Sequence, residues 1–172
     1  MTHFLGIVVA KDARELAKVI ERFDEQFRFP HHFVPVDGEE LEHMCRILKL
    51  DPNDNEAIAA NVMEWFGRAY ATVDGKHGYI SNSNPHGRYD WYQVPGRWEG
   101  AVPTTAKIEE LPAIFEKAGW WPSTLVDWAG WHSNERVGWF GTSALEPDPV
   151  DIQERLKTFP PGTNVFLVDF HV

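Results

Sequence analysis

The chain has a single cysteine, Cys45, among 172 residues. No internal disulfide can form, and the sequence reads as that of a protein from a reducing, cytoplasmic compartment. No apolar run approaches the ~20 residues that a membrane-spanning helix needs. No basic–apolar–small segment opens the chain as a secretion signal would. Basic residues are scarce: 16 Lys and Arg stand against 26 Asp and Glu, for a net charge of −10. Binding a nucleic-acid backbone requires a basic footprint, so nucleic acid is not an expected partner. An acidic surface suits a protein partner instead, including one whose nucleic-acid-binding face it would occupy as a decoy.

Short catalytic motifs are also absent. The chain has no phosphate-cradling glycine loop, no GxSxG elbow, and no HxH, HExxH or Cys–His spacing. No cofactor or metal is therefore expected; eight histidines would have to converge in space to bind one. What the chain has in quantity is aromatics, with 8 Trp and 11 Phe. Most are expected in the core, where their area stabilises folding, and a few could wall a site for a flat ligand. The apolar fraction of 43% and charged fraction of 24% are globular values, and 172 residues are read as one domain, 1–172.

"HFLGIVVA" (His3 to Ala10) is β-branched and apolar, suited to a central strand. In the next segment Leu16, Val19, Ile20 and Phe23 fall on one helical face, and Asp12 with Glu15 forms a capping-box pattern. Residues 25–37 read as a loop. "EELEHMCRILKL" places Leu41, Met44, Cys45 and Leu48 on one face, with Asp37 as cap, and Cys45 as a small buried residue. A third helix follows "DPND", burying Ile58, Val62, Trp65, Phe66 and Ala69. From Ala71 onward, turn signals separate short aromatic runs in the manner of hairpins. "TTAKIEELPAIFEKAG" reads as a helix with Pro112 near its start and Gly119 as its stop. "STLVDW" and "RVGWFG" read as strands, "DPVDIQERLKTF" as a helix capped by Asp148, and "NVFLVDFHV" as a closing strand. The expected fold is α+β: a mainly antiparallel sheet with helices on one face, a ferredoxin-like core carrying a helical insertion.

The densest cluster of polar and aromatic residues is "NPHGRYDWYQVPGRWEG", Asn84 to Gly100. As a strand it would present Arg88, Asp90 and Tyr92 on one face and Tyr89, Trp91 and Gln93 on the other. "PGRW" would then project Arg97 beside Trp98, a pairing suited to a phosphate or carboxylate on a flat ring. In the closing strand Asp169 and His171 share a face, as a carboxylate that orients a general base or as an interstrand pair. His132, flanked by tryptophans that include Trp131, is the other acid–base candidate.

Three blocks resemble one family. "YDWYQVPGRW" is similar to a W/Y-D-W-Y-x-x-G-G-R-W signature, "GWHSNERVGWFG" to G-x-W-H-x-x-G-x-M-G-W-x-G, and "LVDFHV" to V-D-C-H-I. Their order and spacing, over about half the chain, resemble those of small proteins from phages, prophages and diverse bacteria. Pro95 stands where the family pattern has Gly, Val137 where it has Met, and Phe170 where it has Cys, which argues against thiol chemistry there. The resemblance implies a genomic setting: small phage accessory proteins are often inhibitors or sequestering agents of host pathways.

The leading expectation is an accessory protein that binds a small polar or nucleotide-like ligand through Arg88, Asp90, Tyr92, Arg97, Trp98 and Trp131, with His132 and His171. The alternatives are a hydrolase or transferase using His132 or Asp169 with His171, and an acidic inhibitor that binds a host protein. A homodimer through the sheet is compatible with all three.

Overall fold

The computed structural model describes residues 3–134 and 149–171, with the side chains of 62, 63, 65 and 66 outside the description. The fold is α+β, with strands paired mostly antiparallel. Contacts cluster the chain into two compact units, Met1–Phe27 with Ser83–Val172, and Arg28–Asn82.

The first unit is built on β1 (His3–Val9) and the closing strand β9 (Asn164–His171), which run antiparallel in full register. With its elements in chain order, α1 (Ala13–Glu21) follows β1, and β5 (Trp91–Gln93), β6 (Thr105–Lys107), α4 (Leu111–Ala118), β7 (Thr124–Val126), β8 (Trp131–Ser133) and α5 (Ile152–Leu156) precede β9. The strand order is β5-β9-β1-β7-β8, and β6 shares the outer edge of β9 with β5. The core departs from a ferredoxin-like order: β7 pairs directly with β1 in parallel, and β5 and β6 extend the sheet beyond β9.

Helices cover both faces of this sheet rather than one. Leu5 and Ile7 of β1 and Val165 and Leu167 of β9 pack with Leu111 and Phe115 of α4 and Ile152 and Leu156 of α5. On the opposite face Val8, Val168 and Phe170 pack with Leu16, Val19, Ile20 and Phe23, the expected stripe of α1. The reason is legible in "FLGIVV" and "VFLVDF": a continuous apolar run needs cover on both sides, and alternation is not required of it. Each such side chain contributes roughly 1.5–3 kcal/mol on burial. Gly6 is the one small residue in the run, and a Cβ there would stand 2.6 Å from Phe170 Cε2.

Asp12 caps α1 as expected, accepting the Glu15 amide at 2.8 Å. Pro112 lies in the first turn of α4 and Gly119 ends it at φ +79. Thr105–Lys107, read as part of that helix, is instead strand β6, because Thr105, Ala106 and Lys107 pair with β9. The last helix starts later than expected, capped by Asp151. Asp148, together with the expected strand "RVGWFG", lies outside the described residues.

The second unit holds β2 (His32–Pro35), α2 (Gly38–Leu48), α3 (Asn55–Phe66), β3 (Tyr70–Val73) and β4 (Lys76–Ser81), with a sheet in the order β2-β4-β3. Within 25–37, read as a loop, His32–Pro35 forms an edge strand on β4, the place where Pro35 is tolerated. Asp74 and Gly75, both at positive φ, turn β3 into β4 as an Asp-Gly hairpin. Asp37 and Asp54 cap the two helices. Met44, Cys45 and Ile58 form the core with Leu41 and Leu48, so Cys45 is the small buried residue expected. Val62, Trp65 and Phe66, expected on the apolar face of α3, are among the side chains outside the description.

Candidate functional site

The antiparallel register places Trp91, His171 and His3 side by side on three adjacent strands, β5, β9 and β1. Directly opposed residues share a face, so these rings form one row across the sheet. Trp91 stacks on His171 at 4.8 Å between centroids, with an interplanar angle of 19°. His3 meets His171 edge-to-face, also at 4.8 Å, and Trp91 at 5.4 Å.

Each imidazole has its own carboxylate. His171 Nδ1 lies 2.5 Å from Asp90 Oδ1, and His3 Nδ1 lies 3.1 Å from Asp169 Oδ1. Asp169 and His171 share a face, as expected, but each takes a different partner. An ionised carboxylate only accepts, so in both rings Nδ1 carries the hydrogen and Nε2 is left as the other nitrogen. Neither Nε2 makes a hydrogen bond among the described residues.

Asp169 is almost wholly buried, at 1% exposure, and is held by the turn after β5. Its Oδ2 accepts the backbone N–H of Arg97 at 3.0 Å. That approach requires Gly96, which sits at φ +66 with no room for a side chain beside the carboxylate. Asp90 is held differently: its amide donates to the His171 carbonyl at 3.0 Å, across the start of β5. Glu25 stands near Asp90, and its carboxyl is pushed up by burial, then by the charges of Asp90 and Asp24.

The expected Arg–Asp–Tyr face does not form. Regular pairing begins only at Trp91, and the chain before it is irregular, joined to Asp24 by one bridge at Tyr89. Asp90 therefore reaches the face of Trp91 and His171, while Tyr92 lies opposite Phe170 on the other face. Arg88 is buried and donates to the Gly87 carbonyl. Arg97 is exposed, and its guanidinium makes no hydrogen bond or ion pair among the described residues. Trp98 turns away from it into the α4 side of the core, 5.0 Å from Trp120, with its Nε1 buried and without a hydrogen-bond partner among the described residues. Trp131 is a core residue packed on Phe4, Phe23 and Phe170.

His132 belongs to a separate constellation. It lies on β8, three strand spacings from β9, roughly 14 Å at the usual step. Its Nε2 lies 3.3 Å from Asp127 Oδ1, which also accepts the amides of Ala129 and Gly130 at 2.7 and 3.0 Å. Arg155 donates from Nε and Nη2 to Asp127 Oδ2 at 3.0 and 2.7 Å. Burial pushes the Asp127 carboxyl up, but the hydrogen bonds from His132, Arg155 and Gly130 outweigh it and hold it well below the usual carboxylate range. Arg22 of the segment after α1 donates to the carbonyls of Asp127 and Trp128 at 2.7 and 2.9 Å. With every oxygen engaged, this cluster closes the β7–β8 turn and ties α5 to it, and His132 is one of its struts.

Of the residues singled out from the sequence, Asp90, Arg97, Asp169 and His171 therefore meet at one corner of the sheet. Arg88, Tyr92, Trp98, Trp131 and His132 do not join them. His3 and Trp91 complete the corner and were not singled out. For His3 the sequence signal is that both termini carry apolar strands fit for neighbouring places in one sheet, and for Trp91 it is a place in the aromatic stretch 84–100. No group of three or more His, Cys, Asp or Glu among the described residues is arranged to hold a metal ion. No described helix is long and apolar enough to cross a membrane. No family model, curated protein or solved structure matches the chain.

Proposed function

We propose that the corner formed by His3, Asp90, Trp91, Arg97, Asp169 and His171 binds a small polar, nucleotide-like ligand. In this reading the chain is an accessory protein of the phage and prophage kind that its motifs resemble, sequestering its ligand in the cytoplasm. The observation that carries the reading is the pair of imidazoles, each fixed on its own carboxylate with Nε2 uncommitted, beside an indole that is 42% exposed. Uncommitted polar atoms next to an aromatic face are what a flat, hydrogen-bonding ligand requires. Arg97, exposed on the adjoining turn, supplies a cation for an acidic group on such a ligand. Isothermal titration with mononucleotides and cyclic dinucleotides tests this. Binding that weakens at least tenfold in Trp91→Ala and Arg97→Ala is expected. Absence of binding by every compound, in a monodisperse folded sample, refutes it.

An acidic inhibitor that binds a host protein is the second reading. It is favoured by Trp91 and Tyr92, both exposed on β5, which among the described residues has β9 as its one strand neighbour. An edge strand of this kind pairs readily with another chain. Capture of one stable host partner that is lost on Tyr92→Lys, with nucleotide titrations flat, decides for it.

A further inference from the structure

We infer that His3 and His171 act as a general acid–base pair that hydrolyses a phosphodiester bond in the ligand. The inference rests on the ligand-binding reading of the same corner and adds a reaction to it. Its basis is that two carboxylate-held imidazoles stand 4.8 Å apart between centroids, with side chains 17% exposed at His3 and 5% at His171.

A carboxylate on Nδ1 fixes the ring and its tautomer and stabilises the imidazolium that forms when Nε2 takes up a proton. One such dyad is an ordinary structural pair. Two dyads with touching rings and both Nε2 atoms uncommitted supply a proton acceptor and a proton donor at one place. Asp90 and Asp169 compensate the positive charge whichever ring carries it.

The corner's composition selects the reaction class. His3, Asp90, Trp91, Arg97, Asp169 and His171 include no hydroxyl or thiol, so the nucleophile is water. An acyl substrate would need donors for its oxyanion, and the Arg97 amide at this corner is already bound to Asp169. A phosphodiester carries its charge before reaction, and the Arg97 guanidinium matches it without an oxyanion hole. Trp91 offers its exposed ring to a base or another flat leaving group.

In the step, one neutral imidazole takes a proton from water at Nε2 while the water oxygen forms a bond to phosphorus. The bond from phosphorus to the leaving alcohol breaks, and the departing oxygen takes a proton from Nε2 of the other, protonated ring. Water is consumed, a phosphomonoester and an alcohol are produced, and the two rings restore their starting states by proton exchange with solvent. Asp90 and Asp169 are positioning residues, acting through the imidazoles.

The test uses the full chain with bis(p-nitrophenyl) phosphate and 2′,3′-cyclic AMP as probes, in EDTA. Release is followed by nitrophenolate absorbance and phosphorus NMR, and probe binding by ligand-observed NMR. The expected result is turnover with a bell-shaped pH profile. His3→Asn and His171→Asn should each lower kcat about 100-fold or more, with KM changed less than threefold. Arg97→Ala should raise KM, Asp90→Asn should lower kcat and displace one limb of the pH profile, and His132→Asn should leave kcat unchanged. Circular dichroism confirms that each variant is folded, and His171→Gln replaces any that is not. Binding without turnover overturns the catalytic inference and leaves the binding reading standing. Turnover that survives both histidine substitutions also overturns it. Failure of both probes to bind overturns the catalytic inference, and the binding reading falls with it when the mononucleotide and cyclic dinucleotide titrations are flat as well.

Discussion

Gly96→Ala tests how the turn after β5 holds the buried carboxylate, and Gly100→Ala is its natural control. Both glycines lie in the left-handed region, at φ +66 and φ +84. A side chain there costs roughly 1–2 kcal/mol at either position. The two differ in what a Cβ would meet. At Gly100 there is nothing within 4 Å, whereas at Gly96 the Cβ runs into the Asp169 carboxylate. Asp169 cannot retreat without releasing the Arg97 amide at 3.0 Å or His3 at 3.1 Å. A buried hydrogen bond to a charged group contributes roughly 1.5–3 kcal/mol. Gly100→Ala should therefore lose about 1–2 kcal/mol and Gly96→Ala about 3–5 kcal/mol. Urea unfolding followed by far-UV circular dichroism, analysed with a common m value, measures both. Losses equal within about 0.5 kcal/mol, well inside the spread of these terms, would show that the turn does not press on Asp169.

Asp127→Asn should destabilise the fold at pH 7 toward the low end of the roughly 3–5 kcal/mol lost when a buried ion pair is broken, because Arg155 keeps part of its water contact. The folded carboxyl is held below its unfolded value of about 3.9, so its contribution is complete above that value and lost as pH falls toward the folded one. The gap between wild type and variant should therefore narrow progressively as pH falls below about 4 in pH-dependent thermal melts. Glu25 has the opposite sign: burial and neighbouring carboxylates raise its folded value, so its charge disfavours the fold above that value. Glu25→Gln should raise Tm at pH 7 and have no effect in strongly acidic buffer. Gly6→Ala places a Cβ 2.6 Å from Phe170 and should cost about 1–3 kcal/mol by overpacking. Combined with Phe170→Leu, the pair should couple favourably by about 1 kcal/mol in a double-mutant cycle read by urea unfolding.

Local features were legible in the chain because they depend on neighbours in sequence. The caps Asp12 and Asp37 satisfy amides two or three residues on, and the α1 stripe repeats with the helical period. "FLGIVV" and "VFLVDF" were readable as central strands from apolar content alone, and α+β class followed from the order of elements. The length of β5 was not readable. Strand alternation over 88–93 predicted one face for Arg88, Asp90 and Tyr92, but pairing with β9 covers only Trp91–Gln93. Only pairing to a partner decides where alternation starts.

The chain by itself determined which residues could do chemistry, since the Asp169–His171 spacing, the Arg97 turn and the scarcity of Ser, Cys and metal patterns are properties of sequence. Tertiary structure decided which of them meet. His3 and His171 are 168 positions apart, and register alone makes them neighbours. His132, with an equal claim from sequence, was drawn into the Asp127 cluster on another strand. The physical reason is that a carboxylate and an imidazole pair through contacts of about 3 Å, and hydrogen-bonded strand order, not position along the chain, brings distant residues that close.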